Sequence, residues 1–142
     1  MLCSELMKTD VEKCSAEEGV EAIAERMRAR NVGFMPVCDE RGRVIGTLTD
    51  RDLVLRVLAE HRDPNATAVA DVMTSDVIAC KPSDELSVAE ALMSKHKKSR
   101  ILCLDDDGRP AGIISLSDVA RTETGGKASA ILRSVSQREA RP

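Results

Sequence analysis

The apolar positions of this chain change period several times, and they do so twice in the same order. Val20, Ile23, Ala24 and Met27 fall at i, i+3, i+4 and i+7, the one-faced stripe of a helix lying on a sheet, and Leu86, Ala89 and Met93 repeat it. Before each stripe stands a short run, residues 11–14 and 77–80, apolar enough at its start for a strand. Lys81-Pro82 stops the second run, because proline donates no ladder hydrogen bond. After each stripe come residues 34–38 and 100–104, largely apolar strands. They close on the turns Asp39-Glu40-Arg41-Gly42 and Asp105-Asp106-Asp107-Gly108 and reopen at Val44 and Pro110 as the second strand of a hairpin. Each pass reads as strand, helix, strand, strand, helix, preceded by a short helical lead-in at residues 3–7 or 69–73. The closing helix of the first pass, about residues 50–59, carries Leu53, Val54, Val57 and Leu58, more apolar surface than one half can cover. That of the second stops near Arg121. Asp63-Pro64-Asn65 marks the connection between the passes. Beyond Gly125-Gly126, the spacing of Ala128, Ile131, Leu132 and Val135 predicts a short amphipathic helix, resting on its own module or offered to a partner.

The two passes are in gapless register, residues 7–53 against 73–119, and a fixed repeat is to be read before any other feature. Met7/Met73, Asp10/Asp76, Val11/Val77, Cys14/Cys80, Met27/Met93, Asp39/Asp105, Gly42/Gly108, Arg43/Arg109, Gly46/Gly112 and Asp52/Asp118 are identical. Both copies end alike, in Gly46-Thr47-Leu48-Thr49-Asp50-Arg51-Asp52 and Gly112-Ile113-Ile114-Ser115-Leu116-Ser117-Asp118. A hydroxyl where the strand ends and a carboxylate one helical turn later face the same side, giving a polar fork. Such a fork can cap a helix, for roughly 1 kcal/mol, or hold a ligand's hydroxyls. A cap needs only one of the two residues, and both copies keep both.

On these motifs, residues 4–121 resemble a tandem of cystathionine β-synthase (CBS) domains, the pair called a Bateman module. The resemblance implies an α+β fold of two CBS domains, residues 1–62 and 69–122, joined by a linker at 63–68 and followed by a tail at 123–142. The two would pack through three-stranded sheets about a pseudo-two-fold axis, leaving two clefts. It also implies adenosine-containing ligands, with Thr49 and Asp52, and Ser115 and Asp118, holding ribose and nearby phosphate. Arg100 would sit on phosphate, as a guanidinium fork suits. The adenine of the Asp118 site would lie near Thr9 to Val11 and Val32, and that of the Asp52 site near Ser75 to Val77 and Lys98. Met35 and Ile101 complete the implied ligand-binding set. The two sites should be unequal, because Arg100 aligns with Phe34, and Arg51 would compensate in part at the first fork. Leu102 stands where the first copy has Pro36 and the family usually has proline, which bears on the strand geometry of the Asp118 site. AMP, ADP and ATP are the expected ligands, with magnesium accompanying ATP. NAD(H), S-adenosylmethionine and cyclic dinucleotides share the same adenosine. A homodimer through the module's helices and an unidentified protein target are the expected partners.

Composition narrows this further. With 142 residues and 42% apolar content, the chain can bury a sizeable core. It has no charged-then-apolar leader and no apolar run of the eighteen or so residues that would span a bilayer, so the expected location is the cytoplasm. Net charge is −3 with both signs interspersed, and Phe34 is the sole aromatic, which argues against gripping nucleic-acid backbones or stacking bases. Most of Lys95-His96-Lys97-Lys98 ends a helix, where cations are favoured. Asp105-Asp106-Asp107-Gly108 is a hairpin turn and not a calcium loop, since Cys103 and Ile114 would stand at the loop's first and last ligand positions. Five cysteines without C-x-x-C spacing point to neither a disulfide framework nor a zinc site, and Cys14 and Cys80 read as small core residues. No nucleophile-base constellation surrounds His61 or His96, so no catalytic or metal residues are assigned and catalysis is not expected. Two functions follow: a stand-alone sensor of adenosine nucleotides, or a ligand-free dimerisation adaptor.

Overall fold

The computed structural model describes residues 1–122 and 126–136. In chain order the elements are α1 (Cys3–Leu6), β1 (Cys14–Ser15), α2 (Val20–Arg30), β2 (Phe34–Cys38), β3 (Val44–Thr49), α3 (Asp50–Leu53), α4 (Val69–Val72), β4 (Ala79–Cys80), α5 (Leu86–His96), β5 (Arg100–Leu104), β6 (Pro110–Ser115), α6 (Leu116–Thr122) and α7 (Lys127–Ser136). The fold is α+β. Each of two sheets has three strands, β1-β2-β3 and β4-β5-β6, pairing first in parallel and then as an antiparallel hairpin. At the hairpin tips Gly42 and Gly108 sit at φ 82° and 80°, which glycine adopts without strain. The first aspartate of each turn accepts two backbone N–H groups, Asp39 from Arg41 and Arg43, Asp105 from Asp107 and Arg109.

Packing divides the chain differently from the repeat. One compact unit is Glu12–Val77; the other joins Met1–Val11 to the chain from Ile78 onward. Each copy's lead-in thus serves the other copy's sheet. Lys8 bridges Ile113 of β6, and Thr74 bridges Thr47 of β3. The repeat identities Met7/Met73 and Gly46/Gly112 meet in these exchanges. A Cβ on Gly112 would stand 2.6 Å from Met7 Sδ, and one on Gly46 would stand 2.9 Å from both Met73 Sδ and the Thr74 carbonyl oxygen. Only glycine lets the lead-ins approach so closely.

The helical stripes are core faces. Val20, Ile23 and Met27 of α2 pack with Met35, Val37, Leu48, Val69 and Val72. Leu86, Ala89 and Met93 of α5 pack with Ile101, Ile114 and Val119. Ala24, counted in the first stripe, is exposed. Three further expectations are corrected. The strands anticipated at 11–14 and 77–80 shrink to Cys14–Ser15 and Ala79–Cys80. In the first, the Val11 N–H turns back onto the Thr9 carbonyl (3.0 Å) and Glu12 is drawn to Arg26 of α2 (2.9 Å). The helix anticipated at 50–59 is α-helical only to Leu53 and continues as a π-helical turn, Val54–Leu58, closed by Ala59 N–H donating to the Val54 carbonyl. In that wider turn Val57 points inward and is buried, leaving Val54, Leu55 and Leu58 exposed. Leu102 does not disturb its strand, because it pairs with Ile113 as Pro36 pairs with Thr47. In α7, Ile131 and Val135 are buried in the same core as α5, and Ser134 donates to the Ser94 carbonyl (3.0 Å). Leu132 stays exposed, and the Ala128 side chain lies outside the described residues.

Candidate functional site

Both forks form, and both are reciprocal capping boxes. Thr49 N–H donates to Asp52 Oδ2 (3.0 Å) while Asp52 N–H donates to Thr49 Oγ1 (3.2 Å). Ser115 N–H donates to Asp118 Oδ2 (3.1 Å) while Asp118 N–H donates to Ser115 Oγ (3.2 Å). The reciprocal box uses hydroxyl and carboxylate together, so the keeping of both residues in both copies has a local cause, contrary to the expectation that a cap needs one.

Their surroundings differ. The Asp118 side chain is 4% exposed, its Oδ1 accepting a hydrogen bond from Arg121 and lying 3.6 Å from Lys8 Nζ. Burial alone would raise the Asp118 pKa. Hydrogen bonds from Ser115 and the charges of Lys8 and Arg121 outweigh burial and hold it below the usual carboxylate range, so the group is ionised at neutral pH. The Asp52 side chain is 13% exposed, with Arg56 Nη1 3.8 Å from its Oδ1. That same Nη1 donates to the carbonyls of Val72 and Met73.

Arg100 is the direct cross-strand partner of Ser115 at the end of the β5–β6 hairpin, which places the two side chains on one face of the sheet. It is exposed, and among the described residues it forms no ion pair. Phe34 holds the equivalent place opposite Thr49. Arg51 is exposed on the first turn of α3. The Lys8–Ile113 bridge brings the Thr9–Val11 stretch into the unit of Ser115 and Asp118, and the Thr74–Thr47 bridge does the same for Ser75 and Val77 with Thr49 and Asp52. Val32 and Lys98 belong in each case to the other unit from the fork they were assigned to. Met35 and Ile101 are fully buried in the two cores, so only their main chains can meet a ligand.

Sequence reasoning missed a cluster of thiols. Cys3 of α1, Cys80 of β4 and Cys103 of β5 are buried, with their three sulfurs all within 4.8 Å of one another. The Cys80–Cys103 separation is 3.5 Å and the Cys80–Cys3 separation 3.7 Å. Burial first, then the Cys80 sulfur, pushes the Cys3 thiol up to about 12. The Cys103 hydrogen bond and burial push Cys80 up as well. Burial likewise raises Cys14 to about 12, and its S–H points to the Pro36 carbonyl (3.8 Å). The cluster was hidden because the lead-in carrying Cys3 was read with its own copy. Once the lead-ins are exchanged, Cys3, Cys80 and Cys103 stand where the other unit has Val69, Cys14 and Val37.

The chain belongs to the CBS domain family, whose model matches residues 3–59 and again 69–124. It is 36% identical over 114 residues to the CBS domain-containing protein YhcV of Bacillus subtilis, covering 80% of this chain and 79% of YhcV. It is 30% identical over 119 residues to an uncharacterized protein of Methanopyrus kandleri, covering 84% of this chain and 61% of that protein. A conserved CBS domain protein of unknown function from Thermoplasma acidophilum superposes with a TM-score of 0.83 at 22% identity, covering 94% of this chain and 75% of that one. The CBS domain pair of protein MJ0100, solved in complex with 5'-methylthioadenosine and S-adenosyl-L-methionine, gives 0.75 at 23% over 85% and 98%. CBSX2, solved in complex with AMP, gives 0.71 at 22% over 84% and 93%. Among the described residues no helix is long and apolar enough to cross a membrane.

Proposed function

We propose that this chain is a regulatory module that binds adenosine-containing nucleotides, AMP, ADP or ATP, at its forks and reports their occupancy to a protein partner. The observation that carries this reading is the exposed guanidinium of Arg100 opposite Ser115, in the unit of the ionised Asp118. A cation for phosphate, next to a hydroxyl and a carboxylate for ribose, is the polar set that a nucleotide requires. Lys8 and Arg121, the present partners of Asp118 Oδ1, are 69% and 66% exposed. Because both cations are largely exposed, they can turn to solvent when ribose hydroxyls take their place on Asp118 Oδ1. The adenosine ligands of MJ0100 and CBSX2 support the choice of ligand class. The Asp118 fork is the tighter site, since a charge-assisted bond to phosphate is worth about 1.5–3 kcal/mol and Phe34 offers none at the other fork. A thermal-shift panel of adenosine ligands, with and without magnesium, tests the proposal. A ligand at a hundred times its Kd adds about 2.7 kcal/mol, a rise of roughly 5–10 °C. A flat response to every ligand would refute it.

One observation favours a second reading, a ligand-free adaptor: both forks satisfy their own hydrogen bonds, and the turn Val54–Leu58 exposes Val54, Leu55 and Leu58 at 52%, 46% and 72%. Exposed apolar residues grouped on one turn suit a second copy of the chain under either reading.

A further inference from the structure

The core position shared by Cys3, Cys80 and Cys103 is one that the protein fills in its other unit with two valines and a cysteine. Packing alone therefore does not require three thiols there. Their arrangement also has the size of a trigonal ligand set. With sides of 3.5 and 3.7 Å and a third of at most 4.8 Å, a point equidistant from the three sulfurs lies at about 2.0–2.4 Å from each, the length of a metal–thiolate bond of about 2.3 Å. Sulfur donors select soft cations. Among the described residues no fourth histidine, cysteine or carboxylate joins the cluster, whereas structural zinc is almost always four-coordinate.

We propose that Cys3, Cys80 and Cys103 form a binding site for a soft monovalent metal ion of the copper(I) type, held by sulfur alone. The ion replaces thiol protons, which leave to solvent, and no electron is transferred. The three ligands come from α1, β4 and β5, so the ion would pin the N-terminal segment to the sheet. That segment continues into Lys8, which bridges Ile113 and pairs with Asp118, so metal occupancy would stiffen the segment that reaches this fork.

The test uses the full chain, reduced and stripped of metal under nitrogen, titrated with copper(I) in competition with a chromophoric copper(I) chelator. One ion per chain should be withheld from the chelator, with three sulfur neighbours by X-ray absorption. Cys3→Val and Cys103→Val, which copy the residues the other unit carries at these places, should each weaken binding at least tenfold while keeping the wild-type circular dichroism. Cys14→Val should leave binding unchanged. The proposal is overturned if the chelator removes all the copper, or if either valine variant binds as the wild type does. It also fails if zinc binds more tightly with a nitrogen or oxygen neighbour, or if the cluster takes up no copper and instead closes a Cys80–Cys103 disulfide in air. Should a variant fail to fold, the sulfur count on the wild type still decides.

Discussion

Replacing Gly112 with alanine tests the exchanged packing of the lead-ins. The new Cβ would meet Met7 Sδ at 2.6 Å, Cγ at 2.7 Å and Cβ at 2.9 Å. Ordinary carbon contacts are about 3.5–4.0 Å, so Met7 must retreat by about 1 Å, and its own Cβ cannot do so without moving the backbone that carries Lys8 to Ile113. Overpacking of this kind costs about 1–3 kcal/mol. Alanine also restricts the unfolded chain, which returns about 0.4–1 kcal/mol. The net expectation is about 1–2 kcal/mol, a fall in Tm of roughly 3–8 °C for a chain of this length. Urea unfolding of Gly112→Ala, Met7→Ala and the double variant separates this cause from loss of chain flexibility. With Met7 trimmed the alanine has room, so the double variant should be more stable than the sum of the singles predicts, by about 1 kcal/mol. A neutral Gly112→Ala, or strict additivity, would refute the contact.

Three more outcomes are expected. Asp118→Ala leaves a fork that is 4% exposed without its acceptor, against 13% at Asp52, so chemical denaturation should show a loss of about 2–3 kcal/mol for Asp118→Ala and about 1 kcal/mol for Asp52→Ala. Asp118 is held below its unfolded pKa of about 3.9, so the stability it contributes is complete above that value and is lost as pH falls through the folded pKa. Urea titrations of wild type and Asp118→Asn should therefore differ at pH 7, and the gap should narrow as pH falls below the unfolded pKa and through the folded one; a gap that stays constant would contradict this. Leu58→Glu, at 72% exposure, should shift sedimentation from dimer to monomer at about 100 μM while keeping the wild-type circular dichroism, and a wild type already monomeric there would end the dimer proposal.

The hairpins, the core stripes of α2 and α5 and the forks were legible because each is a local pattern repeated twice, and two copies in register average out the ambiguity of either. Residues 11–13 were not, since the side-chain grip of Arg26 on Glu12, fourteen positions away, takes them out of the sheet. The π-helical turn at Val54–Leu58 was hidden for another reason: a 3.6-residue period cannot express one. The thiol cluster and the Met7–Gly112 contact both depend on which unit each lead-in joins. Repeat alignment leaves that choice open, because Met7 and Met73 are the same residue.

The nucleotide reading stands on the Asp118 fork and is tested most directly by isothermal titration of AMP and ATP into the wild type, Arg100→Ala, Asp118→Ala and Asp52→Ala. The expected result is a tightest site weakened by one to two decades in Arg100→Ala, weakened in Asp118→Ala and retained in Asp52→Ala. A tightest site abolished by Asp52→Ala and untouched by Arg100→Ala and Asp118→Ala would contradict the assignment, and no heat with either nucleotide would contradict the function.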